Sequence, residues 1–148
     1  MLRTRRILVV SLLCICTFSG CKTLFTPKQD ARGKGLIVAT ETYRKLIRWG
    51  VFEDAAKYIR GKIEPLPAPD LPKMAHYKIT AYNAGEQLEN EARDEARVVA
   101  YIDYYDIDTG IARSIRDDQY WWYDYLGERW YLGTSFPEFG KSKVNKPK

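Results

Sequence analysis

Two kinds of residue in this sequence could do chemistry: carboxylates in its strand-like second half, and a cysteine just behind an apolar leader. Asp103 and Asp106 fall in one segment of alternating character, and Asp117, Asp118 and Asp124 in the next. A carboxylate turned inward from such a strand can act as a general base, because burial raises its pKa toward a useful value. Asp103 is the best placed, since Tyr101 and Tyr105 flank it on its own side of the strand. Arg97, Arg113 and Arg116 are available to pair with the same acids, which would give them an ordinary surface role. The single His76 opens the first strand, where a capping or surface role is commoner than catalysis. One His is too few for a zinc cluster, and Asp103 to Gly110 lacks the later bidentate Glu of a calcium loop. No metal site and no cofactor are expected, and without a Gly-rich phosphate loop or Gly-x-Ser-x-Gly the chain offers no nucleotide or serine-hydrolase chemistry.

The cysteine is more telling. Arg3, Arg5 and Arg6 precede an apolar run from Ile7 to Phe18, followed by Ser19-Gly20-Cys21. This is the layout of a secretory signal peptide. The 12-residue run would span only ~18 Å as a helix, short of the ~30 Å hydrocarbon layer. Phe18-Ser19-Gly20-Cys21 resembles the lipobox of bacterial lipoproteins, although Leu is commonest where Phe18 stands. The resemblance implies cleavage between Gly20 and Cys21 and a lipid, palmitate included, on the new N-terminal Cys21. It also implies the periplasmic face of the outer membrane, because Lys22 is not the Asp typical of inner-membrane retention. An ordinary secretory signal with a Cys nearby by chance is the other reading. Cys14 and Cys16 leave with the leader, so Cys21 is the lone thiol of the mature chain and no internal disulfide can form. Several acyl chains, at about 0.8 kcal/mol per buried CH₂, would make attachment effectively permanent.

The elements behind this leader position everything else. Residues 1–20 are read as signal peptide, 21–35 as a lipidated tether, 36–140 as one α+β domain and 141–148 as a disordered basic tail. The chain carries 24 Lys+Arg against 19 Asp+Glu, but residues 36–140 hold 13 basic and 18 acidic, a net of −5. The folded part therefore argues against nucleic acid. The tail's lysines are either a solvated end or contacts to anionic envelope components. Leu36, Ala39, Tyr43, Leu46 and Ile47 recur at helical spacing and predict a helix over 36–48. Trp49-Gly50 ends it, and Phe52, Ala55, Ala56 and Ile59 restart the period up to Gly61, giving a helical hairpin. Four prolines between Glu64 and Pro72 make a stiff connector. Strands are predicted over 76–82, 97–107, 111–125 and 129–134, with 86–95 as a turn or ragged hairpin and Asp108-Thr109-Gly110 as a tight turn. Strands this long must curve or carry a bulge.

Rings crowd these strands: Tyr101, Tyr104, Tyr105, Tyr120, Trp121, Trp122, Tyr123, Tyr125, Trp130 and Tyr131. They serve either as core and sheet stiffening or as a surface for a partner or ligand. Alternation divides them between two faces without saying which face the helices cover. The order of elements, with Trp49-Gly50-x-Phe52-x-x-Ala55-Ala56 at its opening and Trp121-Trp122-Tyr123 and Arg129-Trp130-Tyr131-Leu132 at its close, resembles the cone-shaped nuclear transport factor 2-like superfamily. That resemblance implies a strongly curved antiparallel sheet backed by helices, and it spans enzymes and binding modules alike. The expected role is a non-catalytic binding or assembly module for another envelope protein, through Tyr101, Tyr105, Trp121, Trp122, Tyr123 and Trp130. The alternative is a cone-pocket protein that binds a small molecule or acts as an isomerase through Asp103.

Overall fold

The computed structural model describes residues 26–140. The leader, Gly20, Cys21 and the basic tail lie outside the described residues. The elements are α1 (Pro27–Trp49), α2 (Phe52–Ala56), α3 (Leu71–Met74), β1 (Tyr77–Glu89), β2 (Glu95–Asp106), β3 (Ala112–Asp124) and β4 (Arg129–Leu132). The strands form one antiparallel sheet in the order β1-β2-β3-β4, which is open rather than closed. This is an α+β fold, with α1 packed on one face of the sheet.

α1 starts nine residues before the helical stripe predicts. Thr26 accepts from the Gln29 amide while the Gln29 side chain returns to the Thr26 amide, and Pro27 sits in the first turn. Such a reciprocal cap satisfies two amide donors that would otherwise lack partners, so the helix begins there despite its polar composition. Gly33, Leu36, Ala39, Tyr43 and Ile47 form its buried stripe. Gly50, at φ 73°, closes it with its amide donating to Ile47 O at 3.1 Å. Among the described residues no helix is long and apolar enough to cross a membrane.

α2 is shorter than its period suggests. It ends at Ala56, because the next residues are captured by a sheet edge: Leu132 N donates to Tyr58 O at 2.7 Å and Arg60 N to Leu132 O at 2.9 Å. Ile59 pairs with Leu132 in parallel fashion. Gly61 is therefore no helix cap. It is small because the Glu64 carbonyl oxygen lies where a Cβ would stand, 1.7 Å from its ideal position.

β1 runs on through Glu89, beyond the predicted end at residue 82, and its register shifts between Ile79 and Ala81 and between Ala84 and Gln87. β2 and β3 pair without interruption from Glu95–Trp122 to Tyr105–Ala112. The turn after β1 falls within the predicted acidic stretch and is held by Asn90 Oδ1, which accepts from the Asp94 and Glu95 amides.

The core lies between α1 and the sheet face carrying Ile79, Val98, Ala100, Ile102, Tyr104, Trp121 and Leu132. Residues 133–140 fold back beneath it with Phe136 and Phe139 buried, and the Gly140 amide donates to the Tyr104 hydroxyl at 3.0 Å. Tyr43 meets Trp121 edge-on at 5.6 Å, a favoured ring geometry.

Candidate functional site

The candidate residues fall on two faces. Because even-numbered residues of β2 point toward α1, Tyr101, Asp103 and Tyr105 lie on the opposite, open face. Tyr101 is 50% exposed. The Asp103 carboxylate accepts from the Ser114 hydroxyl across the strand pair and does not face the helix-covered interior. Asp103 thus stands on the open face and not toward the interior, where the base role places it. Trp121 and Trp130 are core residues on the covered face, and Trp121 is 0% exposed. Tyr123 is half-buried on the same side.

Trp122 is on the open face but is roofed. Its Nε1 donates to Arg60 O at 2.8 Å, and the Arg60 guanidinium lies 5.9 Å from its ring and 5.0 Å from that of Tyr131. Arg60 is held there by Asp124 at 3.0 Å. The six aromatic candidates thus form no single platform. Burial takes Trp121 and Trp130, a loop covers Trp122, and the open strand faces are mixed with Arg97, Arg116 and Asp118.

A groove gathers what the open face lacks. It has a volume of about 710 Å³ and runs between the first half of α1 and the β3–β4 hairpin. Tyr58, Tyr123, Tyr125 and Trp130 form one side, Ala31, Gly35 and the exposed Val38 the other, with Lys28, Glu128 and Arg129 at its rim. Arg32 builds it. Its Nε and Nη2 donate to Arg93 O at 3.1 Å and Ala92 O at 2.5 Å, and its guanidinium lies 5.9 Å and 5.5 Å from the Tyr123 and Tyr125 rings. Trp130 Nε1 donates to Arg32 O at 3.0 Å, and the indole lies against the helix beside Gly35. Tyr125 is fixed by its hydroxyl donating to Asp94 Oδ2 at 2.7 Å.

Tyr123 and Trp130 are thus brought together, with Tyr58, Tyr125, Arg32 and Gly35 beside them. Lys28, Arg32 and Gly35 fall within 21–35, which the lack of a hydrophobic period assigns to a tether. The signal for them was Thr26-x-x-Gln29 with Pro27, a capping box that makes the following residues helical.

A second polar cluster lies beneath the sheet. Gln119, 3% exposed, donates to the Tyr82 hydroxyl at 2.6 Å and to Asp117 Oδ2 at 2.7 Å, and its Oε1 accepts from Trp121 Nε1 at 3.0 Å. Burial, and then the charge of Asp117, pushes both the Tyr82 and Tyr43 hydroxyls above the usual phenol range. They stay protonated at neutral pH and offer hydrogen bonds rather than a base. A space of about 280 Å³ adjoins Gln119, Tyr82, Glu41 and Thr40. The inward acid is therefore Asp117, whose parity with Ile115, Gln119 and Trp121 was its only signal in the sequence.

Several surface carboxylates are held below their ordinary values of 4.5 for Glu and 3.8 for Asp. The Arg44 hydrogen bond does this for Glu41, and Lys62 with Tyr120 does it for Glu95. At Asp94 burial is the largest influence and opposes the shift, but hydrogen bonds from Asn90 and Tyr125 with the charges of Lys62 and Arg32 outweigh it. A carboxyl lowered on folding contributes stability that is complete above its unfolded pKa and is lost as pH falls through the folded one. Urea midpoints are therefore expected to hold from neutrality down to the ordinary Glu value of 4.5 and to decline below it. A midpoint that stays level through that acid range would contradict these pairings.

No family model, no curated protein and no solved structure matches this chain.

Proposed function

We propose that this chain is an acylated lipoprotein on the periplasmic face of the outer membrane. It acts there as a non-catalytic binding or assembly module for another envelope protein. The leader and Ser19-Gly20-Cys21 support the anchor. The observation that carries the binding reading is the groove between α1 and the β3–β4 hairpin, with its row of rings, its exposed Val38 and its rim of Lys28 and Arg129. An apolar trough whose rim carries Lys28 and Arg129 with Glu128 suits an extended segment that brings apolar side chains for the rings and polar or charged groups for the rim. The site thus moves from the open sheet face to this groove, retaining Tyr123 and Trp130. We also read the fold as the cone of the nuclear transport factor 2-like superfamily, with α1 and α2 as its helical hairpin. The two register shifts in the long β1 support a strongly bent sheet.

A photoreactive residue at Val38 tests the binding site in living cells. It is expected to cross-link to an envelope protein, and reversing the rim with Lys28→Glu and Arg129→Glu is expected to abolish the adduct while Tyr101→Ala leaves it intact. No adduct, or one indifferent to the rim charges, refutes the groove.

The space beside Gln119 favours a second reading, a small-molecule or isomerase-like pocket. It differs in that Asp117→Asn would remove ligand binding and leave the Val38 adduct unchanged, whereas Asp103→Asn would be silent in both.

A further inference from the structure

We infer that the β3–β4 turn, Tyr125-Leu126-Gly127-Glu128, is a second membrane contact that seats this end of the domain on the lipid surface. The inference rests on the acyl anchor at Cys21 proposed above. Leu126 is 97% exposed at the tip of the turn, and its neighbour Tyr125 is 58% exposed. A single exposed Leu is ordinary; its position here is not.

Three structures converge at that end: the start of α1, the turn 90–94 and the turn 125–128. Gln29 Nε2 donates to Glu91 O at 3.4 Å, Arg32 holds the Ala92 and Arg93 carbonyls, and its guanidinium stacks on Tyr125. The Tyr125 hydroxyl donates to Asp94. Tyr125 is thereby fixed from two sides, so Leu126 projects from a pinned base. The chain leaves this same end at Thr26. From Cys21 to Thr26 there are five Cα steps, which reach at most about 18 Å. An acylated Cys21 would therefore keep the end of the domain that carries this turn nearer the headgroups than the opposite end, where the β2–β3 turn lies.

Tyr beside Leu is the pairing of an interfacial anchor, with an amphipathic ring at headgroup level and an aliphatic side chain beneath it. Charges of both signs surround it: Lys28, Arg32, Arg93 and Arg129 stand with Asp30, Glu89, Glu91, Asp94 and Glu128. Seating is accordingly apolar and insensitive to salt, unlike the pull of a polybasic patch on anionic lipid.

The test uses the full chain carrying Leu126→Cys, exported and purified from membranes, with an environment-sensitive fluorophore on the new thiol. Mass measurement first establishes acylation. The protein is then reconstituted into vesicles of phosphatidylethanolamine and phosphatidylglycerol, with and without bromine on the acyl chains. A blue-shifted emission quenched by the brominated lipid, unchanged by added salt, is expected at position 126. The same probe at Thr109→Cys, in the β2–β3 turn at the opposite end, is expected to stay in water. An acylated chain whose 126 probe also stays in water overturns this inference alone. A chain without acyl mass overturns the anchor and this inference with it.

Discussion

Trp121→Ala is expected to lower the unfolding free energy by about 3–5 kcal/mol, the cost of removing a large ring from a core that cannot collapse around the gap. The side chain has 0% exposure and packs edge-on against Tyr43 and Tyr58 at 5.6 Å and 6.1 Å. Its loss also leaves Gln119 Oε1 without the Trp121 Nε1 donor, an acceptor then buried without that bond. Against a total stability of about 5–15 kcal/mol for a domain, such a loss leaves the fold marginal or unfolded. Denaturant midpoints of the purified protein measure it. Trp122→Ala, whose ring sits under Arg60 on the other face, is expected to cost less. If Trp121→Ala proves as mild as Tyr101→Ala, the covered face has been assigned to the wrong side of the sheet.

Arg32→Ala has the next largest expected effect. It removes two charged hydrogen bonds to the Ala92 and Arg93 carbonyls and two ring contacts, which together hold the first turns of α1 to the strand turns. A loss of about 2–3 kcal/mol is expected, less than the sum of two charged bonds at about 1.5–3 kcal/mol each, because both are only part-buried and water replaces part of what is removed. Local opening should appear first, as faster amide exchange in the opening turns of α1 with the strands still protected. Arg32→Lys is expected to rescue little, because an ammonium is a point charge without the planar fork that reaches two carbonyls and lies flat on rings. Full rescue by Lys would mean that charge alone, and not this geometry, holds the groove together.

How far the sequence revealed these features differs by element. Alternation in β2 and β3 was strong, so the predicted 97–107 and 111–125 fall close to the observed Glu95–Asp106 and Ala112–Asp124. The stripe Leu36, Ala39, Tyr43 and Ile47 is buried as its spacing implies. The first turns of α1 were illegible by hydrophobic period, because they bury Gly33 and otherwise pack through Arg32 and the helix backbone against Trp130. The helical period overextends α2 because Ile59 fits it equally well but is claimed by the edge of β4, a long-range pairing that local pattern does not carry. Asp103 and Asp117 both lie in alternating strands, and only the packing of α1 decides which of them faces inward. The rings show the same limit. Composition counts them, whereas topology sends Trp121 and Trp130 to the core and leaves Tyr123, Tyr125 and Tyr58 to wall a groove.

The proposed binding groove and the proposed membrane contact of the β3–β4 turn both rest on a lipidated Cys21. That residue is tested most directly by the intact mass of the mature chain isolated from cell envelopes, together with its N-terminal peptide. The expected result is a chain that begins at Cys21 and carries diacylglyceryl and amide-linked acyl mass on it, with no such mass and no envelope retention in Cys21→Ser. A mature chain that begins elsewhere, or begins at Cys21 with a free thiol, would contradict the account.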